Sequence, residues 1–368
     1  MIRPGKSYRI GSNPPQVRYS EAASVRGLNT MNWKNKHVLV TGGSSFIGSA
    51  LVDALVTRGA AVRVVDDLSS GRYDYISHHA KSGTVEFIDM NLLDSSAAAR
   101  AVKNIEVLFH LAAIHGGRGY VDLHNVECSM NLVLDRQLFH EAVKANVEKV
   151  IFASSGCVYP IYLQKDTQQE LYLTEDLAGP PYDADNMYGW AKLMGEFTLQ
   201  QYAERGWLRA ASCRYFTVYG PRGKEDHAVI AMIARAFIRQ NPFEVWGTGE
   251  QIRNWTYIDD IVEGTVLAAE RIDDGTAVNL GTTERIRVAD AAAMVLRHMD
   301  VDVPLKFLPD MPTGPYNRVA SNQLAKELLD WEPRILFREG IQRTIDWYVN
   351  NHNPKQVRAN LESLLIER

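Results

Sequence analysis

The segment NMYGWAKLMGE contains two side chains whose types and spacing suit acid–base chemistry. Tyr188 and Lys192 are four residues apart in a stretch with helical periodicity, so both project from one face of a helix. An ammonium group beside a phenol lowers the phenol pKa from its usual ~10, which predicts that Tyr188 acts as a base near neutral pH. An ordinary surface pair is the alternative interpretation, and the rest of the chain has to decide between the two.

A glycine-rich turn within His37–Asp67 is the second candidate site. An apolar run leads into Gly42, Ser45 and Gly48, a helical pattern follows, and a second apolar run ends at Asp66. In a dinucleotide site the glycines let the backbone approach a pyrophosphate at a helix N-terminus, and the acid binds the adenosine ribose. A carboxylate there repels a 2′-phosphate, so we expect NAD rather than NADP. The middle position of this motif, occupied here by Ser45, is usually glycine. The alternative interpretation is therefore that the segment is an ordinary βαβ unit without a dinucleotide site.

Strands and helices alternate from His37 onward, which predicts an α/β fold with a Rossmann-type doubly wound parallel sheet. We predict strands near Val62–Asp66, Thr84–Ile88, Val107–His110, Lys149–Ala153 and Leu208–Tyr215, and helices near Phe46–Arg58, Ser95–Lys103, His124–Asn146 and Met187–Arg205. Ligands bind beyond the carboxyl ends of such strands, so the polar segments that follow them are candidate binding segments.

The pattern becomes less regular after residue 220. We predict an N-terminal extension over 1–35, an NAD-binding domain over 36–220 with 255–282 packing back on it, a smaller α/β substrate-binding lobe over most of 221–352, and a C-terminal helix or tail over 353–368.

Composition narrows the functional class. The 368 residues are 46% hydrophobic and 23% charged with a net charge of −4, which is typical of a soluble globular protein and gives no electrostatic case for nucleic acid or an acidic membrane. The three cysteines lack metal-ligand spacing, so no metal is expected. No apolar run approaches the ~20 residues of a membrane helix, and we expect a cytoplasmic protein.

An ordered series of segments runs from about His37 to Asn350: TGGSSFIG, VVDDLSSG, FHLAA, ASSGCVY, YGWAK, RYFTVYGP and NWTYIDDIVEG. On these segments the chain resembles the extended short-chain dehydrogenase/reductase family of nucleotide-sugar epimerases and dehydratases. The resemblance implies tightly held NAD, Tyr188 as acid/base, Lys192 on the nicotinamide ribose and Ser155 bonding a substrate hydroxyl. It also implies further cofactor-site residues, with Asn131 supporting the site from a buried helix position: Gly42, Ser45, Phe46, Ile47, Gly48, Asp66, Asp89, Met90, Leu111, Ala112, Ala113 and Asn131. Relatives commonly pair through two helices, so we expect a homodimer.

Cys157 suggests a more specific chemistry. Dehydratases of the group place an Asp-Glu pair where this chain has Gly156-Cys157, so we do not expect dehydration. SSGCVYP is similar to a segment of the GDP-mannose 3,5-epimerases, as are AAIHGGRGY, FEVWGTGEQIRNWTYID and NRVASN. In that subfamily the cysteine exchanges protons with carbon once a 4-keto group has formed, and a thiol with an ordinary pKa of ~8.5 suits that work. The alternative is that Cys157 is a small apolar filler.

The same subfamily pairs the cysteine with a lysine. Aligning RYFTVYGPRGKEDHAV by its flanks places His227, or else Lys224, at that position, and a residue that merely opens a helix is the alternative. The resemblance implies substrate contacts from Gly116, Gly117, Arg118, Thr217, Trp246, Gln251, Arg253 and Arg318. Arginines suit a diphosphate, although surface ion pairs are the alternative.

We therefore expect isomerisation of a nucleotide-activated hexose, with a GDP-linked sugar favoured and a UDP-linked sugar open. Three rivals remain at this point. The first is a UDP-sugar 4-epimerase that uses only Ser155, Tyr188 and Lys192, the second is an oxidoreductase that releases a 4-keto product, and the third is a non-catalytic NAD-binding regulator.

Overall fold

The computed structural model describes residues 31–366, so most of the predicted N-terminal extension, residues 1–30, lies outside the described part. The strands are β1 His37–Thr41, β2 Ala61–Asp66, β3 Val85–Asp89, β4 Val107–His110, β5 Lys149–Ser155, β6 Arg209–Tyr215, β7 Val218–Tyr219, β8 Phe243–Trp246, β9 Ile252–Arg253, β10 Thr256–Tyr257, β11 Asp274–Leu280, β12 Ile286–Arg287, β13 Leu305–Leu308 and β14 Asn317–Arg318.

The helices are α1 Phe46–Thr57, α2 Ser77–Ser82, α3 Ala97–Ala101, α4 Arg118–Leu123, α5 Asn125–Ser129, α6 Asn131–Lys144, α7 Asn186–Glu204, α8 Ala228–Phe237, α9 Ile258–Arg271, α10 Val288–His298, α11 Gln323–Leu329, α12 Phe337–Asn351 and α13 Pro354–Ile366. Among the described helices, none combines the length and the apolar character that spanning a bilayer requires.

Seven parallel strands form the central sheet in the order β11-β6-β5-β4-β1-β2-β3. The chain runs from β1 outward to β3 and then crosses to β4 on the other side of β1. This reversal opens a crevice beyond the carboxyl ends of β1 and β4, where Thr41 lies opposite His110. The predicted Rossmann-type α/β fold is confirmed.

Burial explains why the middle strands read as continuous apolar runs. β4 is buried along its whole length and β5 along all but its last residue, because helices cover both faces of the sheet. Helix α7 packs against β5, β6 and α6 and so brings its first turns to the carboxyl end of β5. The late strand β11 pairs with β6 and completes the sheet.

The helix predicted over His124–Asn146 is wrong as a single element, since α5 ends at Ser129 and α6 begins at Asn131. The amide of Asn131 donates hydrogen bonds to the carbonyls of Cys128 and Ile114 and accepts one from the Ile114 N–H. A side chain that competes for backbone groups in this way interrupts a helix. The interruption fixes the loop that follows β4.

The remaining strands form small sheets outside the central one. β7 pairs with β10, β9 pairs with β12 and β14, and β8 pairs with β13. These short strands carry Trp246, Arg253 and Arg318 toward the carboxyl edge of the central sheet, where all three line one cavity.

Candidate active site

Two adjoining cavities lie at the carboxyl ends of the strands. The larger has a volume of about 390 Å³ and the smaller about 180 Å³, and both are bounded by Ser45, Ser70, Leu111, Ala113 and His115. Predicted residues on the larger cavity are Ser45, Phe46, Ile47, Leu111, Ala113, Gly116, Gly117, Arg118, Ser155, Cys157, Tyr188, Lys192, Thr217, His227, Trp246, Gln251, Arg253 and Arg318. Those on the smaller cavity are Gly42, Ser45, Asp66, Met90, Leu111, Ala112 and Ala113.

The glycine turn between β1 and α1 is built on close backbone contacts. Gly42 has φ +70°, and a Cβ there would lie 2.9 Å from the Ala112 nitrogen, while a Cβ on Gly48 would lie 2.1 Å from the Gly42 carbonyl oxygen. Ser45 has φ −86° and its hydroxyl donates to that same carbonyl at 2.6 Å. The middle position therefore needs no glycine, which accounts for the departure from the usual motif.

Asp66 lies at the end of β2 with only 7% of its surface exposed. Its carboxylate accepts hydrogen bonds from the backbone N–H groups of Ser44 and Leu68, both at 2.9 Å, and lines the smaller cavity. Met90 shares this cavity, but Asp89 is exposed and lies outside both cavity walls. The adenine contact by Asp89 stays a prediction, and Asn91, which the sequence prediction missed, lines the smaller cavity.

Ser155, Tyr188 and Lys192 meet at the larger cavity, as their places on β5 and α7 require. The Ser155 hydroxyl accepts a hydrogen bond from the Cys157 N–H at 3.1 Å. Tyr188 is 8% exposed and Lys192 1% exposed. The predicted Tyr–Lys pair therefore belongs to a buried site, and the surface-pair alternative is wrong.

Burial changes the electrostatics that were expected for Tyr188. It raises the pKa of the phenol, as do the charges of Cys157, Asp135 and Cys128, while a hydrogen bond with Ser155 opposes the shift. The expectation that Lys192 lowers the pKa of Tyr188 is wrong for the protein without NAD. Lys192 Nζ lies 5.7 Å from the centre of the Tyr188 ring, whereas it lies 4.5 Å from the centre of the Phe152 ring. Helical spacing predicts a shared face but not the cost of desolvation.

The Lys192 ammonium is buried and has no hydrogen-bonding partner among the residues that the structure describes. Burial lowers its pKa, and Asp135 and Glu196 oppose this shift. An unpaired buried donor is costly, so this group suits a polar ligand such as the ribose hydroxyls of NAD. Together with the close glycine turn and Asp66, it shows that the residues of this crevice fit a dinucleotide.

Cys157 lies on the cavity wall, half-buried, directly after β5. Arg318 donates a hydrogen bond to its Sγ at 3.3 Å, another to Gln164 at 2.7 Å, and a third to Asp185 at 2.9 Å. Arg318 therefore contacts the thiol as well as lying where a phosphate contact was predicted. This contact joins residues far apart in the chain, so no sequence pattern indicates it.

Three guanidinium groups converge near Cys157 around one carboxylate. Asp185 Oδ2 accepts from Arg118 at 2.8 Å and from Arg318 at 2.9 Å. Burial acts to raise the pKa of Asp185, but these two charges hold it below its usual value. Burial and the same two arginines lower the pKa of Arg253 to about 9. Arg118 also pairs with Asp122, so two carboxylates accompany the three arginines and one positive charge remains available for an anion.

His227 and Lys224 both line the larger cavity but have different neighbours. Lys224 Nζ donates to the Ser70 hydroxyl at 3.2 Å, on the wall shared with the smaller cavity. His227 precedes α8, makes no capping bond, and places Nε2 3.8 Å from Asp226 Oδ1. Asp226 accepts from the Gly117 N–H at 2.7 Å, so the paired glycines hold His227 at the cavity.

The far end of the larger cavity contains buried polar groups that the sequence prediction partly missed. Both amide atoms of Gln251 lack a partner within residues 31–366, and so does Arg235 Nε, which lies in the same wall. Burial lowers the pKa of Arg235 to about 10 against the charge of Glu244. Arg235 was missed because it occupies an otherwise apolar helix, where an isolated charge is the only sequence signal.

Residues 38–281 match the model of the NAD dependent epimerase/dehydratase family. The chain belongs to this family. The predicted cofactor, NAD, is thereby confirmed, and so is the family that the sequence resembles. The protein is an NAD-dependent enzyme of the nucleotide-sugar epimerase and decarboxylase group.

The similar proteins include both UDP-sugar and GDP-sugar enzymes. The chain is 30% identical to a UDP-N-acetyl-alpha-D-glucosaminuronate decarboxylase of Bacillus cytotoxicus, over 85% of this chain and 98% of the relative. It is 28% identical to GDP-mannose 3,5-epimerase 1 of Oryza sativa subsp. indica, over 84% of this chain and 81% of the relative. A solved UDP-glucuronic acid 4-epimerase from Bacillus cereus, in complex with UDP-glucuronic acid and NAD, superposes with a TM-score of 0.75 at 27% identity, over 87% of this chain and 99% of that one.

Proposed function

We propose that this protein inverts C3, C5 or both centres of a nucleotide-activated hexose through a transient 4-keto sugar. The observation that carries this proposal is that Cys157 lies on the same cavity wall as Ser155, Tyr188 and Lys192. A 4-epimerase needs only the last three residues. A thiol in the same cavity adds a group that can exchange protons with carbon.

At C4 the residues of β5 and α7 handle one hydroxyl proton. Ser155 bonds the C4 hydroxyl and Tyr188 accepts its proton, then returns it at the end of the reaction. Lys192 binds the nicotinamide ribose and places a positive charge beside the phenol in the loaded enzyme. When bound, NAD supplies the reversible oxidation of the C4 carbinol to a ketone. Burial of Tyr188 and Lys192 keeps water from this step.

The 4-keto group acidifies the hydrogens at C3 and C5. Cys157 takes a proton from carbon as a thiolate, and His227 as imidazolium supplies one to the opposite face, so that the centre is inverted and no proton is consumed overall. Arg318 lies 3.3 Å from Sγ, an electropositive surrounding of the kind that reactive cysteines have. We prefer His227 to Lys224 because Lys224 is bonded to Ser70 on the cofactor side.

The arginine cluster holds the diphosphate in this proposal. Arg118 and Arg318 both contact Asp185, whereas Arg253 donates to the backbone carbonyls of Ile252 and Thr313. Planar guanidinium groups bond two phosphate oxygens at once. Arg318 then lies between the diphosphate and Cys157. Such an arrangement ties the position of the thiol to the presence of the substrate.

A guanine base is favoured over uracil at the far end of the cavity. Arg235 has an unpartnered Nε in the described part of the chain and lies beside Trp246 and Glu244 on the wall. Guanine offers two adjacent acceptors, O6 and N7, that match an arginine fork, and N–H groups that match a carboxylate. Uracil has no adjacent pair of acceptors. Calorimetry should give a lower dissociation constant for GDP than for UDP. The R235Q variant should reduce the difference between the two dissociation constants. Tighter binding of UDP than of GDP by the natural protein would contradict the assignment.

Solvent exchange tests the carbon chemistry. NAD-loaded enzyme is incubated with a panel of GDP- and UDP-hexoses in D₂O, and the recovered sugars are analysed by NMR. We expect carbon-bound deuterium at C3 or C5. C157S should still reduce bound NAD, seen by its absorbance, but should lose the exchange. C213A is the matched control, because Cys213 is buried in β6 away from the cavity.

A UDP-sugar 4-epimerase is the second candidate, and the likeness to the Bacillus cereus 4-epimerase supports it. In that case sugars invert at C4 and no accepted sugar gains carbon-bound deuterium, which would refute the role of Cys157. Net accumulation of reduced NAD with a released ketone would instead indicate a 4-oxidoreductase. Binding of NAD without turnover of any sugar would indicate a regulator.

We also propose a homodimer. Leu123 and Val126 are 74% and 79% exposed at the junction of α4 and α5, and Trp190 and Met194 are exposed on α7. Large apolar side chains grouped on neighbouring helices are typical of an interface between chains. The two-helix pairing expected from the resemblance would cover them.

A further inference from the structure

His115 lies between two residues of the proposed mechanism without having a role in it. It follows β4 in the loop that Asn131 fixes, and it lines both cavities. Its ring centre is 5.2 Å from that of Tyr188, with the planes inclined at 31°, and 5.4 Å from that of His227. The imidazole of His115 is thus in ring contact with both His227 and the Tyr188 phenol.

One ring nitrogen of His115 has no hydrogen-bonding partner among residues 31–366. This atom is Nδ1, and it is buried. Leaving a buried polar atom unsatisfied costs ~1–3 kcal/mol, so such an atom on the wall of a ligand cavity suits a polar ligand atom. The stacked Tyr188 ring holds the imidazole in place.

The groups around His115 keep it uncharged. Burial lowers its pKa to about 3, the positive charges of His227 and Lys192 act in the same direction, and Asp226 and the Gly116 backbone oppose them. Tyr188 and Lys192 face it from α7, and Asp226 and His227 face it from the segment before α8. A neutral imidazole offers one N–H donor and one acceptor, but unlike an imidazolium it has no extra proton to supply to carbon. His115 therefore cannot share the task of His227.

We propose that His115 is a further catalytic residue, which hydrogen-bonds through Nδ1 to the sugar oxygen beside the Tyr188 phenol. As an N–H donor it stabilises negative charge that develops on this oxygen when the keto sugar enolises. No proton leaves the ring in this step, so the charge balance of the reaction is unchanged. This inference rests on the proposed function, which supplies both the nucleotide sugar and its enolisation.

Two substitutions distinguish the contribution of the His115 ring from that of its Nδ1 atom. H115F keeps the ring beside Tyr188 but has no polar atom, whereas H115N places an amide near the position of Nδ1 without the ring. With NAD-loaded enzyme, H115F should lower kcat by about 100-fold with little change in KM, as for the loss of one donor in an active site. H115N should restore much of kcat. Both variants should keep the shape of the pH profile, while H227N should change it.

A measurement without turnover tests the same point. In NAD-loaded protein with ¹³C-labelled histidine, the His115 signal is assigned by its absence in H115F. We expect it to remain that of a neutral ring between about pH 5 and 8 and to shift when a nucleotide sugar is added.

Three results would overturn the proposal: H115F with the kcat of the natural protein, H115N no better than H115F, or a His115 signal that titrates in this range or ignores the sugar. If the natural protein turns over no sugar, the proposed function fails, and the NMR titration with nucleotide sugar still decides the role of His115.

Discussion

Replacing Lys192 by methionine should stabilise the NAD-free protein while abolishing catalysis. Lys192 is 1% exposed, and its ammonium has no hydrogen-bonding partner among the described residues. Methionine has a similar length and no charge to desolvate. The substitution therefore removes a buried charge whose partner, the cofactor, is absent from the NAD-free state.

The magnitude depends on two opposing effects. Asp135 and Glu196 attract the ammonium, but burial outweighs them, since the pKa of Lys192 is lowered. Glu196 keeps its ion pair with Arg214 at 2.8 Å when Lys192 is removed. Replacing poorly compensated buried charges by apolar residues of similar size gains ~1–4 kcal/mol, and the charge left on Asp135 reduces this gain. We expect K192M to raise the free energy of unfolding by about 1–3 kcal/mol at neutral pH.

The pH dependence has a definite sign. The folded pKa of Lys192 lies below its ordinary 10.5, so the folded state binds fewer protons than the unfolded state near that pH. The burial cost is complete below the folded pKa and is relieved as the pH rises toward 10.5. The advantage of K192M should therefore shrink as the pH rises through this window.

Urea unfolding of NAD-free protein, followed by fluorescence at neutral and alkaline pH, measures this difference. K144M is the matched control, because Lys144 is 59% exposed at the end of α6 and should change stability by no more than about 0.5 kcal/mol. A K192M protein less stable than the natural one at neutral pH would refute the reasoning. It would show that attraction to Asp135 exceeds the cost of burial.

Three further predictions concern other parts of the molecule. G48A places a Cβ 2.1 Å from the Gly42 carbonyl oxygen and should yield protein without bound NAD, judged by its absorbance; NAD retained in full would contradict this. D185N removes the carboxylate that Arg118 and Arg318 share, leaves Arg318 without an ion pair and Arg118 with Asp122 alone, and should cost ~3 kcal/mol at pH 7. Since the pKa of Asp185 is held below 3.8, acid unfolding should show this difference vanish as the pH falls through that pKa, and a difference that persists would contradict the pairing. L123E combined with V126E should convert a dimer into a monomer in light scattering, and an unchanged mass would place the interface elsewhere.

Local patterns predicted the parts of the fold that depend on neighbouring residues. The strand Val107–His110 has the predicted bounds, because a continuous buried apolar run determines it. The continuous helix over His124–Asn146 failed at Met130 because Asn131 bonds to a loop that is distant in sequence. Periodicity contains no information about such a partner.

The site residues could likewise be predicted where a local motif defines them, but not where contacts distant in sequence do. Tyr188, Lys192 and Ser155 were predicted from motif and spacing, and the structure brings them to one cavity. Asp89 is exposed at the end of β3 and lies outside both cavity walls, so its predicted adenine contact is not supported by the cavity. His115 was overlooked although it lies in the quoted segment AAIHGGRGY, since a single histidine gains meaning only when Tyr188 and His227 are found beside it.

Several polar groups without a hydrogen-bonding partner in the described residues line the larger cavity. Lys192 Nζ, His115 Nδ1, Arg235 Nε and the amide of Gln251 lie on the wall of one cavity, and each lacks a partner in the described residues. Every unsatisfied buried group costs stability, and groups placed at random would not share a cavity. The cost is recovered only when NAD and the substrate are both bound, so binding of the two ligands should stabilise the protein more than their separate contacts with the surface would suggest. In this protein the buried polar groups that lower stability without ligands are the same groups that would recognise NAD and the substrate.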